Sequence, residues 1–154
     1  MAVYLDYNAT APVRPEAIEK MQEVLASPAN PSSTHGFGRI AKKHLEDARA
    51  IVADAISAFT DEIIFTGSGT ESNTTALCGF PDRRVLVSAI EHNSCLKSRA
   101  DAEYISVAPN GIVDLAALDK MLTGGKPALV SVMLADGEVG TIEPIAEIGR
   151  ITKA

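Results

Sequence analysis

The first third of the chain is predicted to form two amphipathic helices. From Pro15 to about Ala26, apolar residues recur every three or four positions, and Pro15 suits the first turn of a helix. The same spacing returns from Arg39 to Ala58, where one face is apolar and charged residues occupy the rest. The segment between them, residues 27–38, is rich in Ser, Pro, Asn and Gly, so we expect a loop there.

After residue 60 the pattern changes to short apolar runs that alternate with helical spacing. The apolar runs predict strands at 62–66, 84–88, 104–107 and 128–134. Helices are predicted at 70–79, from about Asn93 (as the cap), at 114–122 and from Pro144 to the chain end, with a turn at 109–111. Because the strands are apolar along their whole length, we predict an α/β fold, a mainly parallel sheet with flanking helices.

A glycine-rich turn links the first predicted strand to the next helix. It reads Gly67-Ser68-Gly69-Thr70-Glu71, and the Ser-x-x-Glu spacing is that of a capping box. Free backbone N–H groups and the positive end of the helix dipole meet at such a junction, which therefore suits a phosphate group. The turn has neither the P-loop pattern nor Gly-x-Gly-x-x-Gly. An ordinary capped turn without a ligand is the alternative interpretation.

Three loops follow predicted strands and are candidates for one shared site. They cover residues 66–71, 88–93 and 135–140. Open α/β sheets bind ligands at the carboxyl ends of their strands, so these loops are expected to converge.

Composition narrows the classes of function. The 154 residues are 46% hydrophobic, which suits one globular domain with a real core. A net charge of −6 without a basic cluster argues against nucleic-acid binding and favours small molecules or proteins as partners. The two cysteines have no metal-ligand spacing, so we predict no metal site and a reducing, cytoplasmic setting. Neither a signal peptide nor a membrane-spanning apolar run is expected.

Four segments occur in an order that resembles a known family. They are residues 4–12 (YLDYNATAP), residues 30–39 (NPSSTHGFGR), residues 69–73 (GTESN) and the pair Glu91-His92. Together they resemble the cysteine desulfurases of the class V aminotransferase group, which are pyridoxal-phosphate enzymes of fold type I. The resemblance covers the whole chain and implies the large domain of that fold at residues 14–154, incomplete at its C-terminal end, preceded by a small-domain segment at residues 1–13.

The resemblance also implies roles for four residues. Gly69 and Thr70 would bind the cofactor phosphate, and His92 would stack on the pyridine ring and assist proton transfers. Asp136 stands where the family has an asparagine that donates a hydrogen bond to the ring oxygen. Without the family, His92 reads as a helix-end histidine that shares the cap with the next residue. For His35, we expect only that it ties its own loop together.

Two departures from the family pattern affect this site. The family usually has Ser-Gly where this chain has Gly67-Ser68, so the hydroxyl that reaches the phosphate is left open. At position 136 an ionised aspartate can only accept hydrogen bonds and would repel a negatively charged ring oxygen, unless it is protonated or turned away.

The implied reaction converts L-cysteine to L-alanine and an enzyme-bound persulfide. The family's Schiff-base lysine, the aspartate at the ring nitrogen and the sulfur-accepting cysteine would lie beyond residue 154, and Cys78 and Cys95 read as buried structural thiols. We therefore expect this segment to be inactive alone. Expected partners are a second copy or the missing C-terminal half, and a sulfur-acceptor protein, for example in iron–sulfur cluster assembly. The alternatives are a non-catalytic anion-binding or interaction module and, more weakly, an unrelated nucleotide-binding domain.

Overall fold

A computed structural model describes residues 2–28 and 30–153 of the chain. It divides into two compact units, which we call the N-terminal unit, Met1–Phe65, and the C-terminal unit, Thr66–Ala154. The predicted division of the family domain after residue 13 stays a prediction.

Two helices dominate the N-terminal unit, as the periodicity predicts. Helix α1 covers Pro15–Leu25 and helix α2 covers Gly36–Ala55. Helix α2 begins three residues before the predicted start because His35 caps it: the His35 Nδ1 accepts a hydrogen bond from the Gly38 amide at 3.3 Å. His35 thus ties its own loop to the helix, as expected.

The apolar faces of the N-terminal unit remain largely exposed. Helix α1 has no buried residue, and helix α2 buries only small ones, Gly38, Ala41 and Ala53. An open cavity of about 470 Å³ lies between the two helices and is lined by side chains such as Met21, Val24 and Leu45. The amphipathic pattern therefore predicts these helices correctly but says nothing of how deeply their faces are buried.

The predicted strand at residues 62–66 is wrong. A single helical turn covers Thr60–Glu62, and residues 63–66 are irregular. The Ile63 carbonyl accepts a hydrogen bond from the Arg49 guanidinium, which also lies 5.1 Å from the centre of the Phe65 ring. A strand forms only where a neighbouring strand supplies backbone hydrogen bonds, and none pairs with this segment among the residues described.

A parallel three-stranded sheet forms the centre of the C-terminal unit. Its strands are β1, Arg84–Ser88; β2, Glu103–Ile105; and β3, Ala128–Ser131, in the order β2-β1-β3. Both β2 and β3 pair with β1 in parallel. They end earlier than the apolar runs predict, because the ladder with β1 stops at Ile105 and at Ser131.

Helices cover both faces of this sheet, and the predicted α/β fold is confirmed. Leu86 belongs to a core cluster that also contains Ile105, Leu118 and Ile148, while Val85 and Val87 pack with Leu77 and Cys95 on the other face. This split follows from the alternation of side chains along a strand. The helices are α3, Gly69–Cys78; α4, Asn93–Leu96; α5, Leu115–Leu122; and α6, Ile145–Ile151.

Two further expectations can be compared with the fold. Cys95 is buried as predicted, but Cys78 is exposed, because it lies on the outer side of α3 while Leu77 fills the core. Among residues 2–28 and 30–153, no helix combines the length and apolar character needed to span a membrane.

Candidate functional site

The start of helix α3 is organised by two reciprocal hydrogen bonds. Ser68 is the N-cap, and its Oγ accepts from the Glu71 amide at 3.1 Å. The Glu71 carboxylate reaches back to the amide of Gly67 at 2.7 Å, one residue before the position that a standard capping box uses. The predicted cap is therefore present, and the glutamate leaves the Ser68 amide free.

Three successive backbone amides at this turn point to no acceptor. The amides of Ser68, Gly69 and Thr70 make no hydrogen bond with any described residue. A Cβ atom placed on Gly69 would meet nothing within 4 Å, so a ligand can approach the backbone there. The positive end of the ten-residue helix α3 adds to these donors and favours an anion.

The hydroxyl groups around the turn differ in availability. Thr66 Oγ1 and Ser72 Oγ lie 2.6 Å apart and bond to each other, and the Ser68 oxygen already serves as the cap. The Thr70 hydroxyl makes no hydrogen bond within the described part of the chain. Thr70 is thus the hydroxyl best placed to join the free amides in binding an anion.

His92 caps the short helix α4. Its Nδ1 accepts from the Ser94 amide at 3.1 Å and lies 2.7 Å from the Ser94 hydroxyl oxygen. Asn93, predicted as the cap, is instead the first helical residue, because the extended backbone that a cap requires occurs at His92. The interpretation of a helix-end histidine is therefore right about His92 and wrong about Asn93.

One cavity joins the two loops. It measures about 300 Å³, and its lining includes Thr70 and Thr74 of α3 together with His92 and Lys97 from the α4 region. The loops at 66–71 and 88–93 thus meet, although no strand precedes the first of them, and the loop at 135–140 does not line this cavity. Thr70 and His92, proposed from sequence for one site, lie on the walls of the same cavity.

A buried carboxylate lies behind His92. Glu91 follows strand β1, and its Oε2 accepts from the His92 amide at 3.0 Å while its Oε1 accepts from the Ser131 hydroxyl at 3.2 Å. Burial, together with the Glu91 charge, raises the pKa of the nearby Cys95 thiol. Cys95 is thus held as a neutral core thiol, and Glu91 links the carboxyl ends of two adjacent strands.

Asp136 turns into its own loop. Its Oδ1 accepts from the amides of Glu138 at 2.5 Å and Val139 at 3.3 Å, within a turn closed by the bridge between Ala135 and Ile142. A carboxylate can accept these bonds as well as an asparagine oxygen can, which explains why the turn forms with aspartate. A contact between Asp136 and a cofactor stays a prediction.

Sequence reasoning missed the polar residues that support His92. Asn73, one turn into α3, donates from Nδ2 to the Ser94 hydroxyl oxygen at 2.8 Å. The spacing of Asn73 from Gly69 places both near the start of one helix, but only the packing of α3 against α4 identifies Ser94 as the partner. No group of three or more metal-ligating side chains occurs among the residues that the structure describes.

Comparison with known proteins shows the family of this chain. The family model for class V aminotransferases matches residues 3–154. The chain belongs to the class V aminotransferase family. Cysteine desulfurase IscS of Dictyoglomus turgidum is 41% identical, over 98% of this chain and 42% of that protein. The IscS-like cysteine desulfurase of Mycobacterium tuberculosis is 39% identical, over 96% of this chain and 42% of that protein.

Solved structures of similar proteins share the fold. A NifS-like protein from Rickettsia africae superposes with a TM-score of 0.91 at 38% identity, covering 98% of this chain and 44% of that one. SspA, solved in complex with cysteine, gives a TM-score of 0.83 at 28% identity, covering 97% of this chain and 47% of that one. This class V chain therefore spans less than half the length of the relatives that it matches.

Proposed function

We propose that this chain supplies the phosphate-binding part of a pyridoxal-phosphate site in a cysteine desulfurase. The observation that carries the proposal is the set of unpaired amides at Ser68, Gly69 and Thr70, close enough to His92 for Thr70 and His92 to line one cavity. The names of the relatives support the reaction, removal of sulfur from L-cysteine to give L-alanine.

The residues present fit the phosphate end of the cofactor. The three amides and the Thr70 hydroxyl would bind the phosphate oxygens, and the α3 dipole would stabilise their charge. Gly69 leaves the approach open because no side chain projects from it. The sequence leaves open which hydroxyl reaches the phosphate, and we assign this role to Thr70.

His92 would face the ring of the cofactor from the other wall of the cavity. When bound, pyridoxal phosphate supplies an electron sink for carbanions formed next to the substrate nitrogen. The imidazole offers a flat apolar face for stacking, and the family resemblance implies that its ring nitrogens assist proton transfers. The carboxylate of Asp136 accepts hydrogen bonds within its own turn, and its contact with the cofactor stays a prediction.

The complete activity requires further catalytic groups, and the family motifs that carry those groups are not found in residues 1–154. None of the chain's lysines lies in the Ser-rich, His-Lys setting of the family. The chain alone is therefore expected to bind the cofactor weakly and to form no alanine. A homodimer, a sulfur-acceptor protein, a role in iron–sulfur cluster assembly and a cytosolic location are further parts of the proposal.

The test is a titration followed by backbone amide NMR. Pyridoxamine 5′-phosphate is the probe, since it lacks the aldehyde that would react with any surface lysine. It should shift the amide signals of Ser68, Gly69 and Thr70 together with the ring signals of His92. Pyridoxamine without the phosphate is the matched ligand control. Thr70→Val should weaken binding, whereas Thr74→Val, one turn further along α3, should change it less.

The outcomes separate the proposal from its alternatives. Shifts at residues 68–70 caused equally by inorganic phosphate, without any response of His92, would favour a simple anion-binding module. The absence of shifts at residues 68–70 would overturn the proposal. Addition of the remaining part of a relative's sequence as a second polypeptide should yield alanine from L-cysteine, and failure to do so would argue against the desulfurase assignment.

A further inference from the structure

Among the described residues, the ring of His92 is hydrogen-bonded on its Nδ1 edge alone, and the donors on that edge determine where its proton lies. A backbone amide can only donate, so the Ser94 N–H that points at Nδ1 over 3.1 Å requires a lone pair on Nδ1. A neutral imidazole with a lone pair on Nδ1 carries its hydrogen on Nε2.

A second donor acts on the same ring nitrogen. The Ser94 hydroxyl oxygen lies 2.7 Å from Nδ1, and either group could be the donor in that pair alone. Asn73 settles the direction, because its Nδ2 donates to the Ser94 oxygen at 2.8 Å and leaves the hydroxyl hydrogen free to point at the ring. The order of donation is therefore from Asn73 to Ser94 to His92.

The burial of this chain of donors makes it a rigid support. Ser94 is only 8% exposed, and Asn73 is half-buried between α3 and α4. His92 itself is exposed, and its Nε2 has no hydrogen-bond partner in the described part of the protein. The supported edge is thus fixed by buried groups, while the opposite edge is free for a ligand.

We propose that Ser94 and Asn73 are positioning residues that hold His92 as the neutral Nε2–H tautomer. The free edge of the ring then presents an N–H donor and no lone pair. A ligand in the cavity would be met by a hydrogen-bond donor suited to a carboxylate or another oxygen acceptor.

This inference depends on the proposed function only in treating His92 as a cofactor-site residue. The arrangement of its proton can be measured on the ligand-free chain. Nitrogen-15 chemical shifts distinguish a ring nitrogen that carries hydrogen from one that carries a lone pair. The chain has three histidines, and His44, with no ring hydrogen bond among the described residues, is an internal reference.

The experiment records ring nitrogen shifts at a pH where all three imidazoles are neutral. His92 should show a lone pair on Nδ1 and hydrogen on Nε2, whereas His44 should show shifts averaged over two tautomers. Ser94→Ala should move the His92 shifts toward those of His44. Asn73→Asp should move them further than Ser94→Ala does, because an ionised aspartate accepts the Ser94 hydroxyl hydrogen, and the Ser94 oxygen then competes as an acceptor against the Ser94 amide at Nδ1.

A matched variant separates the effect of reversed hydrogen-bond donation from the effect of an added negative charge. Thr75→Asp adds the same charge to an exposed position of α3 and should leave the His92 shifts unchanged. Equal displacement by Asn73→Asp and Thr75→Asp would overturn the proposal. It would also be overturned if His92 and His44 show the same averaged shifts in the unmodified chain. Since no ligand is present, these outcomes are independent of the pyridoxamine phosphate titration.

Discussion

The N-terminal and C-terminal units have apolar stripes of the same kind but bury them to different degrees. In helix α2 the apolar Ile51 is 70% exposed, although it lies on the predicted apolar face. In the sheet of the C-terminal unit, Leu86 and Leu118 are fully buried. Periodicity fixes which face of an element is apolar, whereas burial depends on a second element that covers this face.

The same difference applies to function. The candidate site lies in the C-terminal unit, where a covered sheet fixes α3 and α4 and thereby the positions of Thr70 and His92. Residues 30–39 carry part of the family resemblance but lie in the N-terminal unit, where the buried residues of α2 are all small. The following variants test how far the units differ, from the largest expected effect to the smallest.

The largest effect is expected from the core of the C-terminal unit. Leu86→Ala should lower the free energy of unfolding by about 2 to 5 kcal/mol, because it leaves a cavity between the sheet and its helices. Ile51→Ala in α2 is the matched control and should change it by less than about 0.5 kcal/mol. Urea denaturation of the whole chain measures both. Equal losses would mean that the apolar face of α2 is covered in solution.

A second comparison concerns a tightly packed point of the N-terminal unit. A Cβ atom on Gly38 would lie 2.6 Å from the Cβ of Ser33 and 2.7 Å from its carbonyl carbon. Gly38→Ala should therefore destabilise the protein by about 1 to 3 kcal/mol, since backbone cannot move aside as a flexible side chain does.

Gly36→Ala is the control for that variant. A Cβ atom on Gly36 would meet only the end of the Arg39 side chain at 3.9 Å. The change should be neutral or stabilise α2 by up to about 1 kcal/mol, because alanine restricts the unfolded chain more than glycine does. Amide hydrogen exchange at the start of α2 should separate the two variants, and equal exchange rates would show that the loop before α2 is not packed on Gly38.

Much of this architecture could be predicted from sequence, and the failures have physical causes. The sheet strands, α1, α2 and the capped start of α3 follow from periodicity and from Ser68 with Glu71. The prediction of a strand at 62–66 is wrong because no neighbouring strand pairs with this segment among the described residues. The Asn73 to Ser94 contact joins residues 21 apart and requires the packing of two helices, which no local pattern encodes.

A third comparison concerns carboxylates that each accept one backbone amide. Glu143 is 3% exposed and accepts from the Val113 amide at 2.9 Å, but its Oε1 has no partner among the described residues. Glu143→Gln should raise the free energy of unfolding at neutral pH by about 1 kcal/mol, because a buried unpaired charge costs more than a neutral amide.

The matched control is the exposed Glu62 of the N-terminal unit. Glu62 accepts from the Phe59 amide at 2.7 Å, and Glu62→Gln should change stability by less than about 0.5 kcal/mol. Thermal and urea unfolding measure both variants. A marked loss of stability in Glu143→Gln would mean that Oε1 has a cationic or water partner in solution.

The smallest expected effect is a difference in acid sensitivity between two ion pairs. The Arg84 guanidinium, 2.8 Å away, holds the pKa of Glu103 below its ordinary value of 4.5, and Lys20 does the same for Glu23 in α1. A lowered folded-state pKa contributes stability above the ordinary value that is lost as the pH falls through the folded pKa.

The two ion pairs differ in the structure that each requires, a single helix for one and a folded sheet for the other. Lys20 and Glu23 are three residues apart on one helix, whereas Arg84 and Glu103 lie on adjacent strands and meet only in the folded sheet. Glu103→Gln should therefore reduce stability at neutral pH and converge with the unmodified chain in acid, while Glu23→Gln should change little at either pH. Urea midpoints across the acid range test this, and high salt should shrink the Glu103 effect because the pair is partly exposed. If the urea midpoints of both variants depended on pH in the same way, the ion pair across the sheet would stabilise the fold no more than the ion pair within α1.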